Sequence, residues 1–252
     1  MKNLLSKRTL NKYSRQIILK DVGIIGQKKI FNSKILVVGA GGLGSPVIDL
    51  LVRAGVGFLG VIEDDKVDYS NLHRQTLYDY NDVGKYKSDV IKKKIKLIND
   101  KIKLKIFKER AKDKNLSKIL PKFDIIVDGT DNFPTKFLLN KYSLKYRKKL
   151  VIGAISKFDG HIFSFDFSQK KIPCLNCFYQ GMPSDEILNC EAEGILGPTA
   201  NVIGALQANE VLKIILGLNG IIKNNILIVD LLNLTSRKVY FKKRKNCLCK
   251  KL

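Results

Sequence analysis

The chain has 252 residues, of which 45% are hydrophobic, and its formal net charge is +23 at pH 7. A chain of this length can bury the core of one large α/β domain without disulfides. No apolar run approaches the roughly 18 residues that a membrane-spanning helix needs. The stretch from Met1 to Arg8 also lacks the long apolar core and the small-residue cleavage site of a signal peptide. We therefore expect a cytoplasmic protein without a membrane partner.

The large positive charge is compatible with two kinds of partner. Clustered lysines and arginines can displace counterions from nucleic-acid phosphates. The densest basic runs, residues 92–94 and 242–245, contain no interleaved aromatic residues on which bases would stack. Lysines are otherwise spread along the whole chain, as on solvated helix faces. These observations do not favour a nucleic-acid partner, and they fit an acidic protein that the basic surface attracts.

Strands and helices alternate over the first two thirds of the chain. Residues 34–38 form an aliphatic run that is typical of a strand buried in a parallel sheet. The predicted helices cover residues 8–19, 43–54, 88–99, 135–146 and 201–216. The predicted strands cover residues 34–38, 58–62, 104–107, 123–127, 150–155, 161–167, 226–229 and 238–241. This order predicts an α/β fold with a Rossmann-like, doubly wound and mostly parallel sheet, preceded by an N-terminal helical segment.

The pattern changes after Gly160. Residues 161–167 alternate between apolar and polar side chains, which predicts antiparallel C-terminal strands. We expect a single domain over residues 1–252. Its predicted parts are an N-terminal helical arm (1–33), a nucleotide-binding core (34–159) and a C-terminal extension that carries the cysteines (160–252).

A glycine-rich loop follows the first strand. The sequence Gly39-Ala40-Gly41-Gly42-Leu43-Gly44 satisfies G-x-G-x-x-G between a predicted strand and a predicted helix. Glycines allow a phosphate to approach the backbone N–H groups at the positive end of the helix. Glu63 and Asp65 end the second strand, where an acid commonly accepts hydrogen bonds from a ribose. The loop therefore predicts a bound nucleotide and fits NAD as well as ATP. The predicted contacts in the loop are Gly39, Gly41, Gly42 and Gly44.

Cationic and amide side chains follow the second strand. Hydride transfer needs no cations beside a glycine loop, whereas displacement at a phosphate does, because negative charge accumulates on the phosphoryl oxygens. Arg74 offers a forked donor, Lys87 a compact ammonium and Asn71 a neutral donor. In a chain this rich in lysine, each cation alone also fits a solvated surface. Together they favour chemistry at a phosphate.

A polar turn, Asp128-Gly129-Thr130-Asp131-Asn132, follows another buried strand. Acids at the carboxyl end of a central strand face the ligand crevice of such a sheet. Asp131 is therefore a candidate ligand of a magnesium ion that bridges nucleotide phosphates, and Asn132 a further nucleotide contact. The alternative is that Asp131 caps the following helix.

The five cysteines fall into two pairs and one remaining residue. Cys174 and Cys177 form a C-x-x-C pair, and Cys247 and Cys249 a shorter C-x-C pair about seventy residues later. In a cytoplasmic protein, two such pairs indicate a structural zinc site before they indicate disulfides. The alternative is idle thiols near the chain terminus. Cys190 remains outside both pairs.

The chain resembles the ThiF/MoeB/HesA family, which comprises bacterial relatives of ubiquitin-activating enzymes. The resemblance extends from Lys12 to the last cysteines. The matching blocks are residues 12–17, the glycine loop, Ser70-Asn71-Leu72-His73-Arg74-Gln75, Lys87, residues 128–132 and Gly204-Ala205-Leu206-Gln207-Ala208-Asn209-Glu210.

The resemblance implies an enzyme that adenylates the C-terminal glycine carboxylate of a small ubiquitin-like sulfur-carrier protein ending in Gly-Gly. ATP would lie over the glycine loop, with Glu63 at the ribose, where the family usually has Asp. The phosphates would contact Arg74, Lys87 and Asn71, and Asp131 would hold magnesium. Arg15 would reach the triphosphate from the second subunit of a homodimer. The attacking carboxylate is already ionised, so catalysis would depend on positioning and electrostatics.

The resemblance also bears on the cysteines. Related proteins hold zinc with four cysteines, although their second pair is normally C-x-x-C, one residue longer than Cys247-Leu248-Cys249. Cys190 resembles the cysteine that joins the activated carrier through sulfur in thiamine-pathway members. Members of the molybdopterin branch also have a cysteine at this position. A sulfur-donor protein would be a further partner.

Three alternatives stay open beside the thiamine branch. Residues 13–17, 189–190 and 194–198 resemble that branch more than the molybdopterin branch, in which the partner would be the small subunit of molybdopterin synthase. Outside the family, an NAD-dependent oxidoreductase and a non-catalytic carrier-binding module remain. Arg74, Lys87 and Asp131 together favour an adenylyltransferase over both.

Overall fold

The computed structural model describes residues 6–170, 172–179, 194–223 and 225–247. Its strands are β1 (Lys34–Val38), β2 (Phe58–Ile62), β3 (Lys103–Phe107), β4 (Ile125–Asp128), β5 (Lys149–Ser156), β6 (Asp159–Asp166), β7 (Asn225–Asp230) and β8 (Thr235–Tyr240). They form one sheet in the order β3-β2-β1-β4-β5-β6-β7-β8. The first five strands of this order run parallel, and β6, β7 and β8 are antiparallel to their neighbours. The predicted mostly parallel sheet with antiparallel C-terminal strands is confirmed.

Helices cover both faces of this sheet. They are α1 (Lys7–Lys12), α2 (Ser14–Ile17), α3 (Gly23–Asn32), α4 (Gly44–Ala54), α5 (Lys87–Ile98), α6 (Asp113–Ile119), α7 (Phe133–Lys145), α8 (Leu175–Tyr179) and α9 (Gly197–Leu216). Short 3-10 helices occur at Tyr69–Asn71, Tyr80–Asp82 and Leu120–Lys122. In the described ranges, no helix combines the length and the apolar character that a membrane span requires.

The side chains of β1 show why both faces are covered. Ile35 and Val37 point into a hydrophobic cluster that includes buried residues of α4, α5 and α9. Leu36 and Val38 point into a second cluster on the opposite face, with buried residues of α6, α7 and α8. Because side chains alternate along a strand, an uninterrupted aliphatic strand can serve two cores at once. The predicted doubly wound arrangement is thereby confirmed.

The N-terminal arm differs from the single helix predicted over residues 8–19. It breaks at Tyr13 into α1 and α2, and Tyr13 has φ −106° and ψ 13°. The Tyr13 ring lies against Phe31, with ring centroids 5.1 Å apart, and its hydroxyl accepts a hydrogen bond from Asn99 at 3.2 Å. These tertiary contacts override the helical periodicity of the segment.

Helices α3, α6 and the five-residue α8 are absent from the sequence-based prediction. α6 has seven residues and buries only Leu116 and Ile119. α3 begins at Gly23, and its buried residues are Gly26, Gln27 and Ile30. Neither segment is long or amphipathic enough for a clear 3.6-residue period, so burial against the rest of the chain determines both.

Helix α9 joins the C-terminal extension to the core. It approaches α4 closely at Gly204, where a Cβ atom would lie 2.4 Å from Pro46 Cγ. Gln207 donates from Nε2 to the backbone carbonyl of Asp128 at 2.9 Å. Glu210 accepts the backbone N–H of Ile222 at 2.6 Å. This helix therefore contacts both the end of β4 and the segment that precedes β7.

Candidate functional site

The glycine loop connects the carboxyl end of β1 to α4. Gly39 has φ +83°, a conformation that L side chains rarely adopt. A Cβ atom on Gly44 would lie 2.0 Å from the carbonyl oxygen of Gly39, so both positions require glycine. Helix α4 begins at Gly44 without a side-chain N-cap from the described residues. The N–H groups of Ser45 and Val47 donate to Gly41 and Leu43. The loop N–H groups of residues 41–44 have no acceptor among the described residues, so these groups are available to an anionic ligand, as in phosphate-binding loops.

Ala40 anchors this loop through three hydrogen bonds. Its N–H donates to Glu63 Oε2 at 2.8 Å, and its carbonyl oxygen accepts from the Tyr78 hydroxyl at 2.9 Å and from Ser45 Oγ at 3.1 Å. Burial and the nearby carboxylates of Glu63 and Asp65 raise the pKa of Tyr78, so its hydroxyl stays a donor. The sequence analysis missed Tyr78, because a buried aromatic residue in a loop gives no polar signal.

Glu63, predicted at the ribose, lies at the base of the loop and is 6% exposed. Its Oε1 accepts the backbone N–H of Asp65 at 2.9 Å, in addition to the Ala40 bond at Oε2. Burial raises the pKa of Glu63, and the two backbone donors and the charge of Lys87 partly oppose that rise. Each carboxylate oxygen can accept a second hydrogen bond. Glu63 can therefore fix the loop and still accept from a sugar hydroxyl.

Arg74 lies directly beside the loop. A Cβ atom on Gly42 would lie 3.6 Å from Arg74 Cγ and from Arg74 Cδ. Arg74 Nη1 donates to the Ser70 carbonyl at 2.9 Å and lies 2.7 Å from His73 Nε2. His73, to which the sequence analysis assigns no role, is thus a neighbour of the guanidinium. The half-buried guanidinium keeps donors for a ligand on the glycine loop.

Asn71 ends the 3-10 helix that precedes Arg74. Its Oδ1 accepts the backbone N–H of Asp68 at 3.3 Å, and its Nδ2 lies 3.5 Å from Ser70 Oγ. The 3.5 Å contact is at the limit of a hydrogen bond. The Asn71 amide can therefore turn its N–H groups to a phosphate at little cost.

Lys87 is the first residue of α5 and is 5% exposed. Its ammonium lies 3.5 Å from Asp65 Oδ2, and the Asp65 side chain is 69% exposed. Its charge also acts on the carboxylates of Glu63 and Asp68, but among the described residues only Asp65 lies within ion-pair distance, so the buried ammonium is incompletely compensated. A phosphate can therefore compete for Lys87, which is the role that the sequence predicts.

The turn 128–132 packs on the glycine loop from the other side. A Cβ atom on Gly129 would lie 2.7 Å from the carbonyl oxygen of Gly39. Asn132 Oδ1 accepts the backbone N–H of Thr135 at 3.0 Å, so Asn132 is the N-cap of α7. Asp131 does not cap the helix. It is exposed, and its Oδ1 accepts from Asn132 Nδ2 at 3.4 Å.

The structure also contains a buried ion pair that the sequence analysis missed. Lys136 Nζ lies 3.0 Å from Asp128 Oδ2, and the two side chains are 5% and 0% exposed. In a chain with 46 lysines and arginines, nothing in the sequence distinguishes Lys136 from the solvated lysines of the same helix.

Arg15 is remote from the glycine loop of its own chain. It is exposed on α2, whose Gln16 donates to the carbonyl of Ala54 at 3.2 Å. Ala54 ends α4, and the eleven residues of α4 span about 16 Å from the glycine loop. The described fold therefore does not bring Arg15 to Arg74 and Lys87.

Three of the four cysteines predicted at zinc lie together. Cys174 Sγ is 3.8 Å from Cys177 Sγ and 3.5 Å from Cys247 Sγ, and all three residues are buried. Tetrahedral zinc ligands at about 2.3 Å lie about 3.8 Å from one another, and disulfide sulfurs only about 2 Å apart. The cluster therefore has the spacing of a thiolate metal site. Cys249 and Cys190 lie outside the described residues.

Known proteins are similar to this chain in sequence and in fold. The sulfur carrier protein adenylyltransferase of Thermus thermophilus is 38% identical over 246 residues, which cover 96% of this chain and 91% of that protein. A probable molybdopterin-synthase adenylyltransferase of Gracilaria tenuistipitata is 37% identical over 234 residues, and this chain spans 65% of its length. A crystal structure of E. coli MccB with ATP has a TM-score of 0.82 at 25% identity, covering 95% of this chain and 74% of that one.

The family model described as "ThiF family" matches residues 13–251. That match covers nearly the entire chain, and the named relatives are adenylyltransferases. The sequence-based predictions of the family and of the enzyme class are confirmed. The chain belongs to the ThiF family.

Proposed function

We propose that this adenylyltransferase transfers AMP from ATP to the C-terminal glycine carboxylate of a ubiquitin-like, ThiS-type sulfur carrier, for thiazole synthesis in the thiamine pathway. The observation that supports the proposal is that Arg74 and the turn 128–132 pack on one glycine loop, and that the charge of Lys87 acts on Glu63, which holds the loop. Support for a sulfur carrier comes from the relative of Thermus thermophilus, whose name describes that substrate.

The site residues have distinct roles in this proposal. ATP lies over Gly39, Gly41, Gly42 and Gly44, with its phosphates at the N-terminus of α4. Glu63 accepts from a ribose hydroxyl, and Asp65 releases Lys87 to the phosphates. Arg74, Lys87 and Asn71 stabilise the charge that develops on the phosphoryl oxygens. Asn132 contacts the nucleotide through its amide N–H groups.

The reaction requires no protein base. A carboxylate oxygen of the carrier attacks the α-phosphorus, the bond between the α-phosphorus and the bridging oxygen breaks, and pyrophosphate leaves with the electron pair. Asp131 provides a carboxylate oxygen that solvent can reach, which suits magnesium bound by one carboxylate and nucleotide phosphates. When bound there, the ion offsets the charge of the phosphates. The protein's contribution is to hold the reacting atoms in line.

The molybdopterin branch is the second candidate. The name of the Gracilaria relative describes that branch. Its identity to this chain is 37%, only one percentage point below that of the Thermus relative. The partner would then be the small subunit of molybdopterin synthase. An NAD-dependent oxidoreductase and a non-catalytic carrier-binding module are less favoured, because neither needs a buried ammonium and a guanidinium beside the glycine loop.

A homodimer is part of the proposal. Arg15 completes the site of the second subunit, because it lies too far from its own loop. Ile18 and Leu19, next to Arg15 in the chain, are 76% and 56% exposed, and Ile25 of α3 is 75% exposed. Such an exposed apolar surface suits a subunit contact. The carrier would be a further partner and would bind through an acidic face. A sulfur-donor protein would bind after it.

Exchange of pyrophosphate into ATP tests the proposed function. With magnesium and purified carriers that end in Gly-Gly, we expect carrier-dependent exchange, fastest with the ThiS-type carrier. A faster rate with the molybdopterin-synthase subunit would place the chain in the other branch. Absence of exchange with every carrier, in a sample that binds ATP, would overturn the adenylation proposal.

Zinc belongs to the same proposal at Cys174, Cys177, Cys247 and Cys249. The spacing of the three described sulfurs fits a closed thiolate site, and bound zinc would tie the last residues to α8. We expect about one zinc per chain by metal analysis, and its loss together with a lowered unfolding temperature in Cys177→Ser. The matched control is Cys190→Ser, which keeps the zinc. Retained zinc in Cys177→Ser would remove that residue from the site.

A further inference from the structure

The ammonium of Lys136 is buried beside the candidate site, and no step of the proposed reaction uses it. Three acceptors surround it: Asp128 Oδ2 at 3.0 Å, the Thr130 carbonyl at 2.7 Å and the Gly153 carbonyl at 2.7 Å. An ammonium has three N–H donors, so each acceptor satisfies one of them.

These acceptors lie in the turn 128–132 and in the neighbouring strand β5. Asp128 ends β4, Thr130 lies within the turn 128–132, and Gly153 lies in β5. Asp128 Oδ1 in turn accepts both the backbone N–H of Thr130 at 3.0 Å and its hydroxyl at 2.6 Å. Asp128 therefore holds the N–H of Thr130, and Lys136 holds its carbonyl group, which immediately precedes Asp131.

A purely structural requirement does not explain a buried ion pair well. Two charges at this depth lose most of their hydration, and apolar side chains of similar volume are often equally stabilising. Lys141 of α7 forms an exposed pair of the same types with Asp113 of α6, at 2.8 Å. That pair lies away from the turn and satisfies no backbone group within it. The pair at Lys136 differs because it determines the backbone conformation of the turn.

We propose that Lys136 is a positioning residue for the nucleotide-bound metal, because it holds the turn 128–132 so that Asp131 faces the phosphates. Lys136 does not touch the nucleotide and acts only through Asp131. This inference rests on the proposed role of Asp131 in the adenylation reaction. It predicts that the ammonium and the Asp131 carboxylate are energetically coupled.

Calorimetric binding of ATP, with magnesium and with EDTA, tests this coupling without requiring turnover. Lys136→Met alone leaves Asp128 buried and unpaired, which is strongly destabilising, so the test variant is Asp128→Asn/Lys136→Met. In this variant the two charges are removed together, and Asn keeps an acceptor for Thr130. The matched control is Asp113→Asn/Lys141→Met, which removes the exposed pair between α6 and α7. Thermal unfolding of each variant verifies that it is folded.

We expect magnesium to tighten ATP binding by the wild type and by the control. In Asp128→Asn/Lys136→Met and in Asp131→Ala, we expect this gain to fall by about tenfold or more, as for partners of metal ligands. The variant with all three substitutions should lose no more of the magnesium-dependent gain in ATP affinity than Asp131→Ala alone, because the effects of coupled residues are not additive.

Three results would overturn the inference: an unchanged magnesium gain in Asp128→Asn/Lys136→Met, an additive loss in the triple variant, or no magnesium gain in the wild type. Failure of carrier-dependent pyrophosphate exchange is a separate outcome. It would overturn the proposed function and leave the coupling between Lys136 and Asp131 standing.

Discussion

Replacing Lys87 by methionine should lower the rate of carrier-dependent pyrophosphate exchange by about a thousandfold. Methionine retains most of the buried aliphatic stem and removes the charge. The ammonium is buried near Glu63, the residue that holds the glycine loop, and a preorganised cation there acts on developing phosphate charge far more strongly than in water. Its partner Asp65 is mostly exposed, and the buried Glu63 loses a nearby charge but keeps its two backbone donors. We therefore expect lost activity with a modestly lowered unfolding temperature.

The matched control is Lys93→Met, which removes an exposed charge from the same helix. The two variants have the same net charge, so a difference between them reports position and not bulk electrostatics. Rates should be measured at several salt concentrations, because a change in carrier attraction would be screened by salt. A loss below about fivefold in Lys87→Met would remove this lysine from the phosphate site.

Much of the fold could be predicted because local patterns and tertiary structure agree. In β1 the same uninterrupted aliphatic run that predicts a parallel strand packs into both cores. The glycine loop was also predictable, since Gly39 and Gly44 are required by backbone geometry alone. Residues 8–19 were wrongly predicted as one helix, because the break at Tyr13 depends on Phe31 and Asn99, which are remote in sequence.

The site could be predicted only in part. The sequence left two roles open for Asp131, a helix cap and a metal ligand. Which of them applies depends on whether the cap is Asp131 or the next residue. In the structure Asn132 caps α7, so the carboxylate of Asp131 is not used by the helix. Tyr78 and Lys136 were missed for a different reason. Their roles arise from hydrogen bonds to backbone carbonyls, and a backbone carbonyl has no sequence signature.

The position of Arg15 leads to the second prediction. The resemblance assigns it to the triphosphate of the second subunit, and it lies near the far end of α4 from the glycine loop of its own chain. A twofold arrangement lets each arm reach the other subunit's site. We therefore expect Arg15→Ala to be nearly inactive, with the Lys87→Ala variant inactive as well.

Mixed dimers of these two inactive variants should recover about a quarter of wild-type exchange activity. With random pairing about half of the dimers are mixed, and each mixed dimer has one intact site. That site combines Lys87 of the Arg15→Ala chain with Arg15 of the Lys87→Ala chain. The control mixture, Arg74→Ala with Lys87→Ala, should recover nothing, because both residues serve the site of their own chain. Both mixtures should be prepared by joint refolding or coexpression, and their dimer content measured by light scattering. If dimers form in both mixtures and neither regains activity, Arg15 does not complete the site of the second subunit.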